Sequence, residues 1–193
     1  MKKFSAERIY LKEIDLADIN QRVMDWFSDE ELMKFYTNSK KQITKESLIQ
    51  SIIDGKESHN LYTFGIYDVV SDQLIGTMKL GPINHAQKTS DLVALIGDHA
   101  FLGKGLAVEA IKVGIQIAFE EYDLRKLFGG MYESNIASIK AYCRAGWIIE
   151  GRLKGHYWVD GKNEDRLLAA CFNPKYFTKE EIEAVKEQEK GYL

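Results

Sequence analysis

The chain has 193 residues, with 26 Lys and Arg against 29 Asp and Glu, a net charge of −3. Hydrophobic residues make up 45% and charged residues 28%, and only 2 prolines accompany 15 glycines, which excludes a collagenous or Pro-rich disordered chain. One domain of this length buries roughly 70% of its unfolded surface without a disulfide or metal staple, and mild acidity argues against bulk nucleic-acid binding.

The 2 cysteines, Cys143 and Cys171, are too few for a disulfide framework, so a reduced, cytoplasmic protein is expected. Met1-Lys2-Lys3-Phe4-Ser5 leads into no apolar stretch, and charges interrupt every hydrophobic run. Neither a secretory signal nor a membrane span is expected.

Residues 8–14 are β-prone and predict a first strand. Asp15, Ser28 to Glu31 and Thr44 then read as caps of three short helices, the second running through about Tyr36 and the third ending at Gly55. From Leu61 the period changes. Strands are predicted over 61–67 and 73–80, joined by the turn Asp68 to Asp72. A short apolar strand, 92–96, runs into a glycine-bearing turn, Gly97 to Gly105. A helix follows from about Leu106 to Glu121, apolar around most of its circumference, with one polar stripe of Glu109, Lys112, Gln116 and Glu120. Then come a strand over 126–131, a helix over 135–145, and strands over 147–154 and 166–172. The tail opens with the capping pair Thr178/Glu181 and carries only Ile182 and Val185 as apolar anchors, so it predicts a solvated helix able to dock on a partner. This order predicts an α/β (mixed α+β) fold: a mixed, mostly antiparallel sheet of about seven strands flanked by helices. Residues 1–173 form one domain in this reading, and 174–193 a helical tail.

The chemistry lies in Leu92 to Trp147. A strand runs into Leu102-Gly103-Lys104-Gly105-Leu106-Ala107, which opens a helix. Glycines let the backbone turn tightly and approach a ligand. The helix start supplies unpaired N–H groups and the positive end of the macrodipole, and Lys104 adds a cation. This is a diphosphate cradle. Alone, the same residues fit a tight strand-to-helix turn better, its glycines serving only close packing. After the next strand comes Asn135-Ile136-Ala137-Ser138, with Tyr142 and Gly146-Trp147 following at fixed spacing.

The glycine loop and the Asn-x2-Ser-x3-Tyr-x3-Gly-aromatic segment, in this order, resemble the GNAT acetyltransferase superfamily over about residues 7–172. With Ile149 to Lys154, Asp160-Gly161 and Asp165, the chain is similar to the subgroup holding the ribosomal-protein N-terminal acetyltransferases and many small-molecule acetyltransferases. The resemblance implies acetyl-CoA as co-substrate, bound in a splay of the sheet between the strand before the loop and the strand after the helix. Leu102 to Ala107 would take the diphosphate, with Leu102 standing where the family usually has a cation or amide. Main-chain groups near Leu95 and Ile96 would hold the pantetheine arm and thioester oxygen. Tyr142 occupies the position of the family's general acid, Ser138 is the runner-up acid or a cofactor contact, and Asn135 a contact to the pantetheine amide. Packing readings stand beside each: a boundary tyrosine, a small helix residue and an N-cap.

Candidates for the base are Asp91, Asp98, His99 and Glu133, with Asp98 and Glu133 ahead. Each is also an ordinary turn residue, and a water chain would suffice. Cys143 sits at helical spacing from Ile136 and Ile139 and reads as a core thiol. His156, Tyr157, Trp158 and Asp165 lie around the last hairpin and could line an acceptor pocket. The histidines have no metal-ligand spacing, so no metal is expected. Trp26, Phe27, Phe35, Tyr36, Asn38, Lys40 and Lys41 would form the acceptor side. That mixture points to a small-molecule primary amine such as an amino sugar. The alternatives are a ribosomal-protein N-terminus and a non-catalytic CoA-binding regulator. A nucleotide-binding domain is disfavoured, because Gly103-Lys104-Gly105 lacks the hydroxyl of a Walker motif. No nucleic acid or membrane partner is expected, and a homodimer is left open.

Overall fold

The computed structural model describes residues 2–36, 43–189 and 191–192. Eight strands form one sheet. They are β1 (Phe4–Ser5), β2 (Ile9–Glu13), β3 (Tyr62–Asp68), β4 (Leu74–Leu80), β5 (Thr89–Ile96), β6 (Lys126–Tyr132), β7 (Ile148–Val159) and β8 (Lys162–Phe172). The spatial order is β1-β2-β3-β4-β5-β6-β8-β7. Every neighbouring pair is antiparallel except β5 and β6.

That exception shapes the molecule. β5 and β6 pair only at Thr89↔Lys126, Ser90↔Leu127 and Asp91↔Phe128. Beyond Asp91, β5 continues to Ile96 against β4, and β6 continues to Tyr132 against β8. The sheet therefore opens into a V whose vertex lies at Asp91 and Phe128.

Helices α1 (Gln21–Ser28), α2 (Glu30–Met33), α3 (Lys45–Glu57), α4 (Leu106–Gln116), α5 (Ile136–Arg144) and α6 (Lys179–Glu189) surround the sheet. Two apolar clusters separate its faces. One joins Leu11, Ile66, Met78, Leu92, Leu127 and Ala169 to Ala110, Ile111 and Tyr142 of α4 and α5. The other joins Tyr10 and Tyr67 to Val23, Trp26, Leu48 and Ile52 of α1 and α3. Helix α4 lies very close to β4, and a Cβ at Gly114 would collide with the Met78 sulfur. The helix tightens no further at Gln116; it widens into one π-type turn, Ile117–Glu121.

Several expected boundaries move. β1 is a two-residue strand, too short to show a period, and raises the strand count from seven to eight. Asp15 caps a 3-10 turn, Leu16–Asp18, whereas α1 is capped by Asn20. Ser28 ends α1, and Asp29 caps α2. Thr44 caps α3 through Ser47. Gly55 does not end that helix: it is buried inside it, where its missing side chain lets Leu61 cross closely. The β7–β8 hairpin is longer than expected, because bulges between Ile149 and Gly151 and between Leu153 and Tyr157 break the alternation that marks a strand. Helix α6 docks on this same chain: the Glu189 carboxylate accepts the Ile149 N–H at 2.9 Å, and Arg152 donates to the Tyr192 carbonyl at 3.1 Å.

Candidate active site

After β5, Asp98 caps a short 3-10 turn, and the chain reaches Leu102-Gly103-Lys104-Gly105, all exposed. Gly103 and Gly105 have φ of 72° and 76°, the left-handed region that side chains avoid. Gly105 is the N-cap of α4 and offers it no side-chain acceptor, so N–H groups of the first turn, at Leu106 and Ala107, point outward. A Cβ at Gly103 would meet nothing within 4 Å, and one at Gly105 would meet only Arg8, at 3.8 Å. The loop thus combines open space, helix N–H groups and the exposed Lys104.

Arg8, between β1 and β2, holds this loop. Its Nη1 donates to the Lys104 carbonyl at 2.9 Å, and its Nε donates to Glu109 Oε1 at 2.6 Å. In a trans peptide the carbonyl and the following N–H point in opposite directions. Pinning the Lys104 carbonyl inward therefore turns the Gly105 N–H outward. Nothing in the sequence signals Arg8, which stands 96 residues from its partner.

The second half of the site is the V. The Asp91 carbonyl accepts from Gly81 on the β4 side, and Tyr142 bonds Leu92 and Ala94 on the other side. Strand alternation then directs the main-chain groups of Leu92, Ala94 and Ile96 into the V, and those of Leu95 toward β4. Leu95 is thus committed to the sheet, while Leu92, Ala94 and Ile96 turn their main-chain groups into the V.

Two side chains sit at the vertex. The buried Tyr142 hydroxyl donates to the Leu92 carbonyl at 2.8 Å and accepts from the Ala94 N–H at 3.2 Å. Trp147 meets its ring edge-on, with centroids 4.9 Å apart. Burial pushes the phenol far above its ordinary pKa, so it keeps its proton. The Asp91 carboxylate accepts the Leu92 N–H at 2.7 Å and lies beside Gly129, where a Cβ would be 3.1 Å away. Burial lifts Asp91 to about 6, against the lowering effects of that N–H and of the Arg166 charge.

The other expected groups are placed as follows. Asn135 caps α5 by accepting from the Ser138 N–H at 3.2 Å, and the Ser138 hydroxyl lies 3.9 Å from the Met131 sulfur, one turn before Tyr142. Asp98 spends both oxygens, one on the Ala100 N–H and one on Arg22 and Gln73. Glu133 is paired with Arg152, and His99 with Asp29. Of the four candidate bases, only Asp91 lies at the vertex and is free of an ion pair among the described residues. Burial, reinforced by the Glu189 charge, raises the Cys143 thiol, in keeping with a packing role.

The face of the sheet away from α4 and α5 carries aromatic rings at the V. Phe35 lies 5.6 Å from Tyr132, which stacks on Tyr157 at 3.8 Å. Tyr36 is raised to about 12 by burial and by Asp91. Trp26 is core, packed under Gly97, and Phe27 packs with it. Asn38, Lys40 and Lys41 lie outside the described residues. Asp165 is held by Arg152, Lys154 and the Gly155 N–H, which keep its carboxyl well below the usual range. It is a hairpin strut, not a pocket residue. Trp158 is exposed at the hairpin tip.

Residues 8–148 match the acetyltransferase (GNAT) domain family. The chain belongs to the GNAT acetyltransferase family. It is 26% identical over 177 residues to the Bacillus subtilis (strain 168) protein named "Probable N-acetyltransferase YjcK", covering 86% of this chain and 94% of that one. It is 27% identical over 101 residues to the spermidine N(1)-acetyltransferase of Escherichia coli (strain K12), covering 52% of this chain and 54% of the relative. Among solved structures, the Vibrio cholerae spermidine N-acetyltransferase in complex with CoA and spermine superposes with a TM-score of 0.78 at 18% identity, over 88% of this chain and 98% of that one. The Vibrio fischeri ribosomal-protein-S5-alanine acetyltransferase does so with a TM-score of 0.76 at 20% identity, over 92% and 100%.

As a GNAT member the chain is an acetyl-CoA-dependent N-acetyltransferase. Its residues fit that co-substrate on three structural counts. The Gly103–Gly105 cradle is open where a diphosphate would sit. The Ala94 carbonyl and the Ile96 main-chain groups face the V toward an amide-bearing arm, while Asp91 and Tyr142 hold the Leu92 N–H, the Leu92 carbonyl and the Ala94 N–H. A proton-holding phenol and a carboxylate poised near neutrality share one vertex. Among the described residues, no helix is long and apolar enough to cross a membrane.

Proposed function

We propose that the protein transfers the acetyl group of acetyl-CoA to a primary amine of a small molecule, with the transfer taking place at the β5–β6 vertex. The observation that carries this reading is the meeting of Tyr142 and Asp91 at the vertex, beside an open anion cradle. Acetyl-CoA supplies an activated thioester. The chain supplies position and proton traffic. Gly103 to Ala107 and Lys104 anchor the diphosphate end, with Arg8 fixing the loop. The Ile96 N–H, which strand alternation turns into the V, is a main-chain donor for an oxygen that gains charge as the thioester is attacked, a kind of contact often worth several kcal/mol.

The reacting amine must first be neutral. Asp91, ionised above about 6, accepts its proton directly or through water. A bond forms from nitrogen to the acetyl carbon, and the carbon–sulfur bond breaks. The Tyr142 hydroxyl gives its proton to the departing sulfur and regains one, directly or through water, as the new amide nitrogen sheds its extra proton. The products are the N-acetylated amine and the free thiol of CoA. Ser138 and Asn135 line the α5 side of the same channel, Ser138 as a contact and Asn135 as the cap that fixes the helix start.

A small amine is supported by the relatives named as spermidine acetyltransferases. An amino sugar specifically draws no support from them. The test is release of CoA thiol from acetyl-CoA when the purified protein meets a mixed panel of amino sugars, amino acids, polyamines and ribosomal-protein N-terminal peptides. Small amines should turn over. Labelling confined to the peptides would reject the reading.

A further inference from the structure

We propose that the acceptor is a small primary amine that also carries an oxyanion, a carboxylate or a phosphate, and that Lys79 and Arg166 recognise it on the face of the sheet away from α4 and α5. The proposal rests on the acetyl-transfer reading above and adds the substrate's second group.

Alternation places both cations beside the vertex. Met78 and Leu80 face α4, so Lys79 faces the opposite way. Lys79 is the register partner of Val93, and Asp91 is two residues further along β5 on the same face. Such diagonal neighbours stand about 7–8 Å apart. Across the V, Arg166 is the register partner of Tyr132, and its guanidinium lies flat over Gly130, where a Cβ would collide with it. The guanidinium is also 5.9 Å from the centroid of the Tyr157 ring and 3.3 Å from His156 Nε2. Asp91 feels its charge. The two cations therefore flank the carboxylate that would receive the amine's proton.

Among the described residues no carboxylate lies within 4.0 Å of Lys79 or Arg166, whereas Arg22, Arg152, Lys126 and Lys154 all have one. Residues 37–42, Thr-Asn-Ser-Lys-Lys-Gln, contain no acidic side chain to supply one. Arg166 Nε is buried with no hydrogen-bond partner, a rarity in folded proteins that marks a place for a missing acceptor. Lys79 is half-buried, and burial lowers its pKa. An oxyanion would answer both costs, and Arg166 presents the planar fork that suits carboxylate or phosphate.

A polyamine has the opposite need. Beyond the reacting nitrogen it carries further ammonium groups, which require further carboxylates. Asp98, Glu133 and Asp165 are already paired with Arg22 and Arg152, and Glu164, on the face of β8 that carries Arg166, accepts the Ser134 N–H and hydroxyl at 2.8 and 2.7 Å.

The experiment compares matched amines that differ only in the anion, each with acetyl-CoA and the purified protein, and reads thiol release. The pairs are β-alanine against β-alaninamide and glucosamine phosphate against glucosamine, with spermidine as the cationic arm. The anionic member of at least one pair should have a kcat/KM about tenfold higher or more, the size expected for one charged hydrogen bond. Which pair responds tells carboxylate from phosphate. In Lys79→Gln or Arg166→Gln, made singly, that ratio should fall toward one through a raised KM for the anionic amine. Acetyl-CoA affinity, measured alongside, reports that each variant is folded. Transfer without anion preference, preference for spermidine, or a ratio untouched in both variants would overturn the proposal and leave the acetyl-transfer reading standing. Thiol release with none of the amines would overturn both.

Discussion

Arg8→Ala tests how the cofactor loop is held. Arg8 makes one bond into the loop, to the Lys104 carbonyl at 2.9 Å, and grips Glu109 with its Nε, its Nη2 and its own N–H. Glu109 is largely buried, with its side chain 18% exposed, while the Arg8 side chain is 48% exposed. A hydrogen bond involving a charged group contributes about 1.5–3 kcal/mol, and half-exposure places this one at or below the lower end. Loss of about 1.4 kcal/mol of loop preorganisation weakens CoA binding about tenfold. Stability should fall by about 1 kcal/mol, which lowers Tm by about 2–4 °C in a domain of this size. Turnover at saturating acetyl-CoA should change by no more than about twofold, since Arg8 touches no reacting atom. Isothermal titration with CoA, thermal melts and steady-state kinetics separate these effects. Arg8→Lys restores a cation but not the fork, so it should recover only part of the affinity. If Arg8→Ala binds CoA as tightly as the parent while melting lower, Arg8 is a strut of the fold and has no part in shaping the cradle.

Tyr142→Phe removes only the hydroxyl. Turnover should fall by about 10²–10⁴-fold, and apo-protein stability by about 1–3 kcal/mol, because the Leu92 carbonyl and Ala94 N–H lose their partner; full activity would pass the acid role to Ser138 or water. For Asp91, burial raises the pKa, so the carboxyl is protonated and idle below about 6 and ionised above it. The parent's kcat/KM should therefore climb about tenfold per pH unit up to about 6, before the amine's own titration, and Asp91→Asn should lose that limb; an unchanged profile would exclude Asp91 as the base. Gly114→Ala should destabilise the fold by about 1–3 kcal/mol in urea titration, although the same change in an open helix is favourable, because the new methyl meets the Met78 sulfur; a stabilised variant would refute the close approach of α4 to β4.

The fold was legible where local patterns speak for themselves. The apolar run before the glycine loop, the nearly all-apolar helix from Leu106 and the Asn135 to Trp147 segment each carry a period or a cap that survives folding. Tyr142 could be singled out because the Asn135 to Trp147 segment resembles the family's, in which that position belongs to the general acid. Asp91 could be only one of four carboxylate or imidazole candidates. What separates it from Asp98 and Glu133 is the point where β5 and β6 stop pairing, and pairing between residues 37 apart leaves no trace in either strand. Leu95 and Ala94 illustrate the same limit. Which of two neighbours turns its N–H into the V depends on register with β4. Arg8 was invisible for a related reason: its partners lie about half the chain away. The bulged β7–β8 hairpin hid its own length by breaking alternation.

The central claim is that the glycine loop at the start of α4 and the adjoining V bind acetyl-CoA for transfer. It is tested most directly by calorimetric titration of CoA into the protein and into Gly105→Glu, which puts bulk and a like charge where Gly105 now faces open space. The parent should bind one equivalent. The variant, shown folded by its circular dichroism and melt, should bind none. A folded Gly105→Glu protein that takes up CoA with the parent's affinity would contradict the account.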